Sequence, residues 1–332
     1  MTVRRELLAR GLGLTLETAD LPGLGTPQRG KVREGYRLTD GTRLLVTTDR
    51  VSAFDRVLGT LPFKGQVLNG LSAWWFRQTA SLVPNHLIDV PDPQAMRVID
   101  CTPLPVEFVV RAYLTGVTST SIWTHYARGE REFCGHRLPD GLRKNEPLPR
   151  PILTPSTKAS HGAHDVSVSR ERLLAAGAVT SDELDQVEPM VLALFEQGRR
   201  VCAERGLLLV DTKYEIGRTT DGRLVVIDEV HTPDSSRFWR ASTYEDRLRA
   251  GLEPESLDKE WLRRWLVERG YRGEGEPPRL NDEVRIEAAG RYVEVFEALT
   301  GRPFEPDLEP PLERLRRNVA SLVGSDRAGP VA

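Results

Sequence analysis

The sequence predicts an α+β protein built largely on antiparallel sheet. Three observations lead there. The first part reads as strands, with KVREGYRL and RLLVTTDR flanking Thr39-Asp40-Gly41, and Asp-Gly is a strong two-residue hairpin signal. Helical patterns gather in the later part. Between them, few of the strand–helix–strand alternations of a parallel sheet occur.

Taken in order, GLGTPQRG supplies three glycines in eight residues, a flexible loop leading into the first strand. VEFVVRAYL, ending at Leu114, is a further apolar strand. Residues 134–166 are rich in Pro and Gly and hold no long periodic segment, so they read as a loop, functional or disordered. Thr180 and Glu183 have the spacing of a capping box that opens a helix toward Glu204. A second hairpin follows over 207–232. Then come ESLDKEWLRRWLVERG, NDEVRIEAAGRYVEVFEALTG with Asn281 as N-cap, and PPLERLRRNVASLVG, all helical. The tail after Gly324 is read as frayed.

At 332 residues the chain suits one large domain or two lobes. A net charge of −2 gives no reason to expect nucleic acid or anionic membrane as a partner. Apolar runs fall well short of a bilayer span, and MTVRRELLARGLGL is too charged for a signal peptide. The three cysteines, Cys101, Cys134 and Cys202, are widely separated. That spacing argues against a disulfide scaffold or zinc cluster and for a cytoplasmic setting.

The second hairpin, within VDTKYEIGRTTDGRLVVIDEVHTPDSSRFW, carries unusual charge. With Asp221-Gly222 as a two-residue turn, Glu215 faces Asp228. Period two then places Asp211, Lys213 and Glu215 on one face. Opposed carboxylates repel unless a cation lies between them. Either a Mg²⁺ shared with phosphates fills that place, or Lys213 neutralises a solvated polar face. The glycine loop before Lys31 and Arg33 has the character of a phosphate-covering loop, or of an ordinary connector. Together the two features suggest a nucleotide site.

Eight ordered blocks make the sequence recognisable: GKVREGY (30–36), TTDRVSAFD (47–55), LPFKGQVLNGLSAWWF (61–76), VEFVVRAYLTG (106–116), CGHRLPDGL (134–142), PILTPSTKASHGAHD (151–165), DTKYEIG (211–217) and DEVHTPDSSRFW (228–239). The chain resembles the SAICAR synthetase (phosphoribosylaminoimidazole-succinocarboxamide synthase) family. The resemblance implies a two-lobed α+β fold with a kinase-like N-terminal ATP lid over 1–114 and a catalytic lobe over 115–324. It also implies ATP-dependent joining of 5-aminoimidazole-4-carboxyribonucleotide (CAIR) to L-aspartate through an acyl phosphate, giving SAICAR, ADP and phosphate. No protein nucleophile is needed, in keeping with the lack of a convincing Ser-His-Asp or Cys-His arrangement.

Residue by residue, the resemblance implies ATP contacts from Gly30, Lys31 and Arg33, with adenine held by the backbone around Glu107 and Val109. It implies Mg²⁺ ligation by Glu215 and Asp228, and a catalytic set of Lys213, Asp211 and Lys158. Arg111 and Arg237 match the residues that grip the CAIR 5′-phosphate, a task suited to the guanidinium fork. Asp55, Lys158, His164, Asp165 and Ser236 match positions lining the CAIR and aspartate cleft, while Ser52 and Ser156 either donate to substrate or cap turns. TGVTSTSIW departs from the family pattern by several added residues, so the phosphate hydroxyl is Ser119 or a neighbour among Thr118–Ser121. The expected protein is a monomer or small homo-oligomer. Rival readings are a small-molecule kinase, another ATP-dependent ligase, or a non-catalytic nucleotide-binding protein. PSTKASHGAHD and PDSSRFW argue against a generic kinase, and the intact acidic and basic sets argue against a non-catalytic relative.

Overall fold

The computed structural model describes residues 2–118, 121–157 and 166–322, and they form helices and predominantly antiparallel sheet, the class expected. Two compact units emerge, both discontinuous: Met1–Trp74 with His86–Asp100 and Lys259–Ala332, and Trp75–Asn85 with Cys101–Asp258. This corrects the expected division at residue 114. The strand that was to close the first lobe begins at Thr102 and lies in the second unit, and the C-terminal helices return to the first.

The first unit contains β1 (Gln28–Arg29), β2 (Arg33–Arg37), β3 (Thr42–Thr47), β4 (Arg50–Ala53), β5 (Arg56–Thr60), β6 (Leu87–Asp92) and β7 (Ala95–Ile99). Five of them form a sheet in the order β1-β2-β3-β7-β6, while β4 and β5 pair separately. Alternate residues Leu44 and Val46 of β3 are fully buried and pack with Tyr36, Leu16 and Leu315. A second core joins Leu8, Val51 and Phe63 to Leu262 and Tyr292 of the helices Glu260–Glu268 and Asp282–Thr300. Asn281 caps the latter as expected, its Oδ1 accepting from Val284 N at 3.0 Å. The helix Pro311–Asn318 is pinned by Arg314, a buried guanidinium that donates to Asp92 at 3.0 and 3.2 Å and to Gln94 at 2.8 Å.

The second unit contains β8 (Thr102–Tyr113), β9 (Glu132–Phe133), β10 (His136–Arg137), β11 (Pro147–Leu153), β12 (Ser156–Thr157), β13 (Val166–Ser167), β14 (Leu207–Arg218), β15 (Leu224–Ile227) and β16 (Ser236–Arg240). Its main sheet runs β13-β12-β8-β14-β15, with β11 also on β8 and β16 also on β14. The region read as loop over 134–166 thus supplies short strands to this sheet. The helix Ser181–Glu204 packs on β14 and opens with the expected capping box. Among the described residues, no helix is long and apolar enough to cross a membrane.

Both hairpins turn differently from expectation, and for one reason. Thr220-Asp221-Gly222 forms a three-residue loop: Gly222 N bonds Thr219 O and Thr219 N bonds Arg223 O, each at 2.9 Å. Thr39-Asp40-Gly41 does the same, Leu38 N bonding Thr42 O at 2.9 Å. Gly41 (φ 78°) and Gly222 (φ 87°) take the left-handed position that such loops reserve for glycine.

Candidate active site

The three-residue loop shifts the second hairpin by one position, so Glu215 pairs with Ile227 and not with Asp228. This corrects the predicted face-to-face carboxylate pair. A one-residue slip should send Asp228 to the other side of the sheet. Asp228, however, lies beyond the end of β15 with φ 67°, a left-handed conformation that aspartate tolerates better than most residues. The alternation breaks there, and the Asp228 charge still acts on Lys213.

The opposed pair on this face is a different one. Glu215 stands across from Glu107 of β8. Lys213 Nζ bridges them, at 2.6 Å from Glu215 Oε1 and 3.0 Å from Glu107 Oε1. Burial alone would lower the lysine pKa, but Glu215, Glu107 and Asp228 together outweigh it and hold the ammonium well above its ordinary value. Lysine neutralisation, one of the two readings of the charged face, is therefore present. Glu107 also enters the site by its side chain. The backbone expected to hold adenine lies within the sheet: Glu107 pairs with both Glu215 and Ser156, and the Val109 carbonyl accepts from Thr154 N at 2.7 Å. Ser156 likewise belongs to β12.

One row along the same face, Asp211 of β14 sits between Arg111 of β8 and Arg237 of β16, paired with each. Both guanidiniums donate to Asp211 Oδ2, Arg111 at 3.4 Å and Arg237 more closely. Arg111 Nε also donates to Thr154 Oγ1 at 2.9 Å, a contact that sequence reasoning missed because Thr154 is a single residue within a longer block. Side-chain exposure of 12% and 14% leaves each arginine partly open. Burial lowers the Arg111 pKa, against the pull of Asp211. Nearby, burial pushes the Cys134 thiol up to about 11 while the Arg111 charge draws it down.

Strand alternation turns Ser236, expected to line the CAIR and aspartate cleft, to the face opposite Arg237. Its hydroxyl is buried and bonds Thr212 Oγ1 at 2.7 Å. Ser121 of the Thr118–Ser121 group caps the helix Ile122–Ala127. Ser119, Lys158, His164 and Asp165 lie outside the described residues. A cavity of about 530 Å³ between Tyr113, Arg199, Arg200 and Leu207 includes none of the predicted site residues.

In the first unit, Gly30, Lys31 and Arg33 occupy a tight turn entering β2, Gly30 N donating to Arg33 O at 2.8 Å. Lys31 forms an ion pair with Asp55, both side chains more than half exposed. Phe54 and Asp55, at φ 51° and 61°, make the turn between β4 and β5. Ser52 is nearly buried in β4.

The second unit thus offers two guanidiniums for a dianion beside a carboxylate–ammonium cluster. Residues 26–279 match the SAICAR synthetase family. The chain is 47% identical over 313 residues to the phosphoribosylaminoimidazole-succinocarboxamide synthase of Legionella pneumophila, covering 93% of this chain and 99% of the relative. It is 46% identical over 326 residues to a chloroplastic Arabidopsis thaliana synthase of that name, covering 97% of this chain and 79% of the relative. A Saccharomyces cerevisiae SAICAR synthase solved in complex with SAICAR superposes with a TM-score of 0.74 at 29% identity, covering 88% of this chain and all of that one. The chain belongs to the SAICAR synthetase family of carbon–nitrogen ligases.

Proposed function

We propose that the protein joins CAIR to L-aspartate at the expense of ATP, giving SAICAR, ADP and phosphate, through an acyl phosphate of the CAIR carboxylate. The observation that carries this reading is the row Arg111–Asp211–Arg237 beside the cluster Lys213–Glu215–Glu107. The arginines grip the CAIR 5′-phosphate as charge-assisted donors. Asp211, which accepts from both, acts by orienting them and not on the substrate. Lys213 reaches the transferred phosphoryl group, where positive charge stabilises the charge that develops. Lys31 and Arg33 contact the nucleotide phosphates.

Among the described residues no three His, Cys, Asp or Glu side chains gather around a metal position. Mg²⁺ is nevertheless held in many nucleotide sites by one or two carboxylates, waters and phosphates, so the hard oxygens of Glu215 and Asp228 fit it. Bound there, the ion would neutralise polyphosphate charge. Positioning and charge supply the rest of the catalysis. The setting proposed is cytoplasmic.

The test is direct. Purified protein incubated with ATP, Mg²⁺, CAIR and L-aspartate should yield SAICAR and ADP in equal amounts. ADP without SAICAR, or product with a different amine only, overturns the reading.

A further inference from the structure

The turn that carries Lys31 is held by a device that no site prediction included. Three successive carbonyls, those of Gly30, Lys31 and Val32, all accept hydrogen bonds from the segment Thr48–Arg50. Arg50 Nη2 donates to Gly30 O at 3.0 Å and Arg50 Nε to Lys31 O at 2.9 Å. Val32 O accepts from Thr48 N at 2.9 Å and from Thr48 Oγ1 at 2.8 Å.

Arg50 is itself fixed from behind. Its Nη1 donates to Glu34 Oε1 at 2.8 Å and to the Glu17 carbonyl, and Glu34 is wholly buried. A guanidinium has a rigid fork of donors, so anchoring one edge aims the other. Lys31 by contrast is exposed and carries a long, flexible stem.

The carbonyl directions have a consequence for the amides. Among the described residues there are no cis peptide bonds, and a planar trans peptide points its N–H opposite its C=O. With the Gly30 and Lys31 carbonyls drawn toward Arg50, the N–H groups of Lys31 and Val32 face the opposite way. Successive N–H groups presented together make a concavity suited to an anion.

We propose that Thr48 and Arg50 are positioning residues for nucleotide phosphate: they tie back the carbonyl side of the Gly30–Val32 turn, so that its amides are presented to ATP in one fixed arrangement and the stem of Lys31 starts from a fixed point beside them. The inference rests on the reading of Lys31 as a phosphate contact. Neither Thr48 nor Arg50 touches the nucleotide. Their contribution is preorganisation, which lowers the ordering cost of binding.

The experiment is a double-substitution cycle in the full chain, with calorimetric titration of Mg²⁺-ADP and steady-state KM values for ATP and CAIR. Arg50→Gln should weaken ADP binding and raise the ATP KM about tenfold, the scale of a lost hydrogen bond to a charged group. Thr48→Val, which removes one hydroxyl and leaves the buried ion pair intact, should give a smaller change of the same kind. CAIR KM should stay near the wild-type value for both. Against a Lys31→Ala background, Arg50→Gln should cost much less than it does alone, because the two act through one turn. Equal weakening toward ATP and CAIR, or fully additive losses in the cycle, would show a general structural role and overturn the proposal. If Lys31→Ala weakens ADP binding while Thr48→Val and Arg50→Gln do not, the positioning inference alone fails. If none of the three changes ADP binding, the reading of this turn as a phosphate site fails with it. Should Arg50→Gln not fold, Thr48→Val with its own Lys31→Ala cycle decides.

Discussion

Glu107 and Glu215 face each other across neighbouring antiparallel strands, and the Lys213 ammonium lies between them, bonded to both. Directly opposed like charges destabilise a sheet, and removing one partner of a buried ion cluster exposes the others to uncompensated repulsion. Lys213→Met should therefore destabilise the fold by on the order of 2 kcal/mol, below the fully buried case because Lys213 is 27% exposed. Turnover should be lost as well. Chemical denaturation beside the ligase rate checks both. A variant as stable as wild type would show that the two glutamates do not need the lysine.

Arg111 and Arg237 share one acceptor oxygen on Asp211. Arg111→Ala and Arg237→Ala should each weaken CAIR binding by roughly 1.5–3 kcal/mol, with ATP binding nearly intact. Asp211→Asn should weaken CAIR binding less, since both forks remain but lose their aim. Calorimetry with each ligand separates the cases, and equal loss for both ligands would reject the assignment.

Stability should fall in acid for an identifiable reason. Burial pushes His231 down to about 3, and burial aided by the charges of Arg33 and Arg43 does the same to His86. His231 Nε2 and the Tyr214 hydroxyl lie 2.6 Å apart in the core. Below about pH 6.5 the unfolded chain takes up protons that the folded histidines refuse, so stability drops with pH by roughly 1.4 kcal/mol per unit for each. Asp49 works in the opposite sense. Burial raises it to about 6 against three N–H donors, so its ionisation favours unfolding, and its contribution improves as pH falls from about 6 toward 3.8. Melting temperatures from pH 7 to 4.5 should fall for wild type, with a shallower slope for His231→Asn. Parallel slopes would remove His231 from the explanation.

What the sequence made legible was local. Thr180 with Glu183 and Asn281 mark helix starts because a cap bonds within three residues of itself. Asp-Gly located both turns, but the preceding Thr39 and Thr220 belong to the loops, and that single residue displaced every partner on the second hairpin. The Glu107 side chain was missed for another reason. Its partnership with Glu215 depends on β8 lying beside β14, and nothing within either segment encodes that adjacency. The same applies to Arg314 meeting Asp92, and hence to the return of the last helices to the first unit. Period two placed Lys213 on the charged face, and family blocks located Arg111 and Arg237 where periodicity could not, yet gave no sign that Ser236 turns to the opposite face.

The most direct test of the charged face is a set of thermal melts with and without Mg²⁺-ATP for wild type, Glu215→Gln and Asp228→Asn. Ligand stabilises a fold by an amount set by its affinity, so loss of a metal carboxylate should show as a smaller gain. Wild type should gain stability from Mg²⁺-ATP. Both variants should fold without ligand, since Lys213 keeps Glu107 as a partner, yet gain little from Mg²⁺-ATP and turn over negligibly. If all three proteins gain equally, Glu215 and Asp228 do not hold the metal–nucleotide complex, and the charge on this face serves only to hold the sheet together around Lys213.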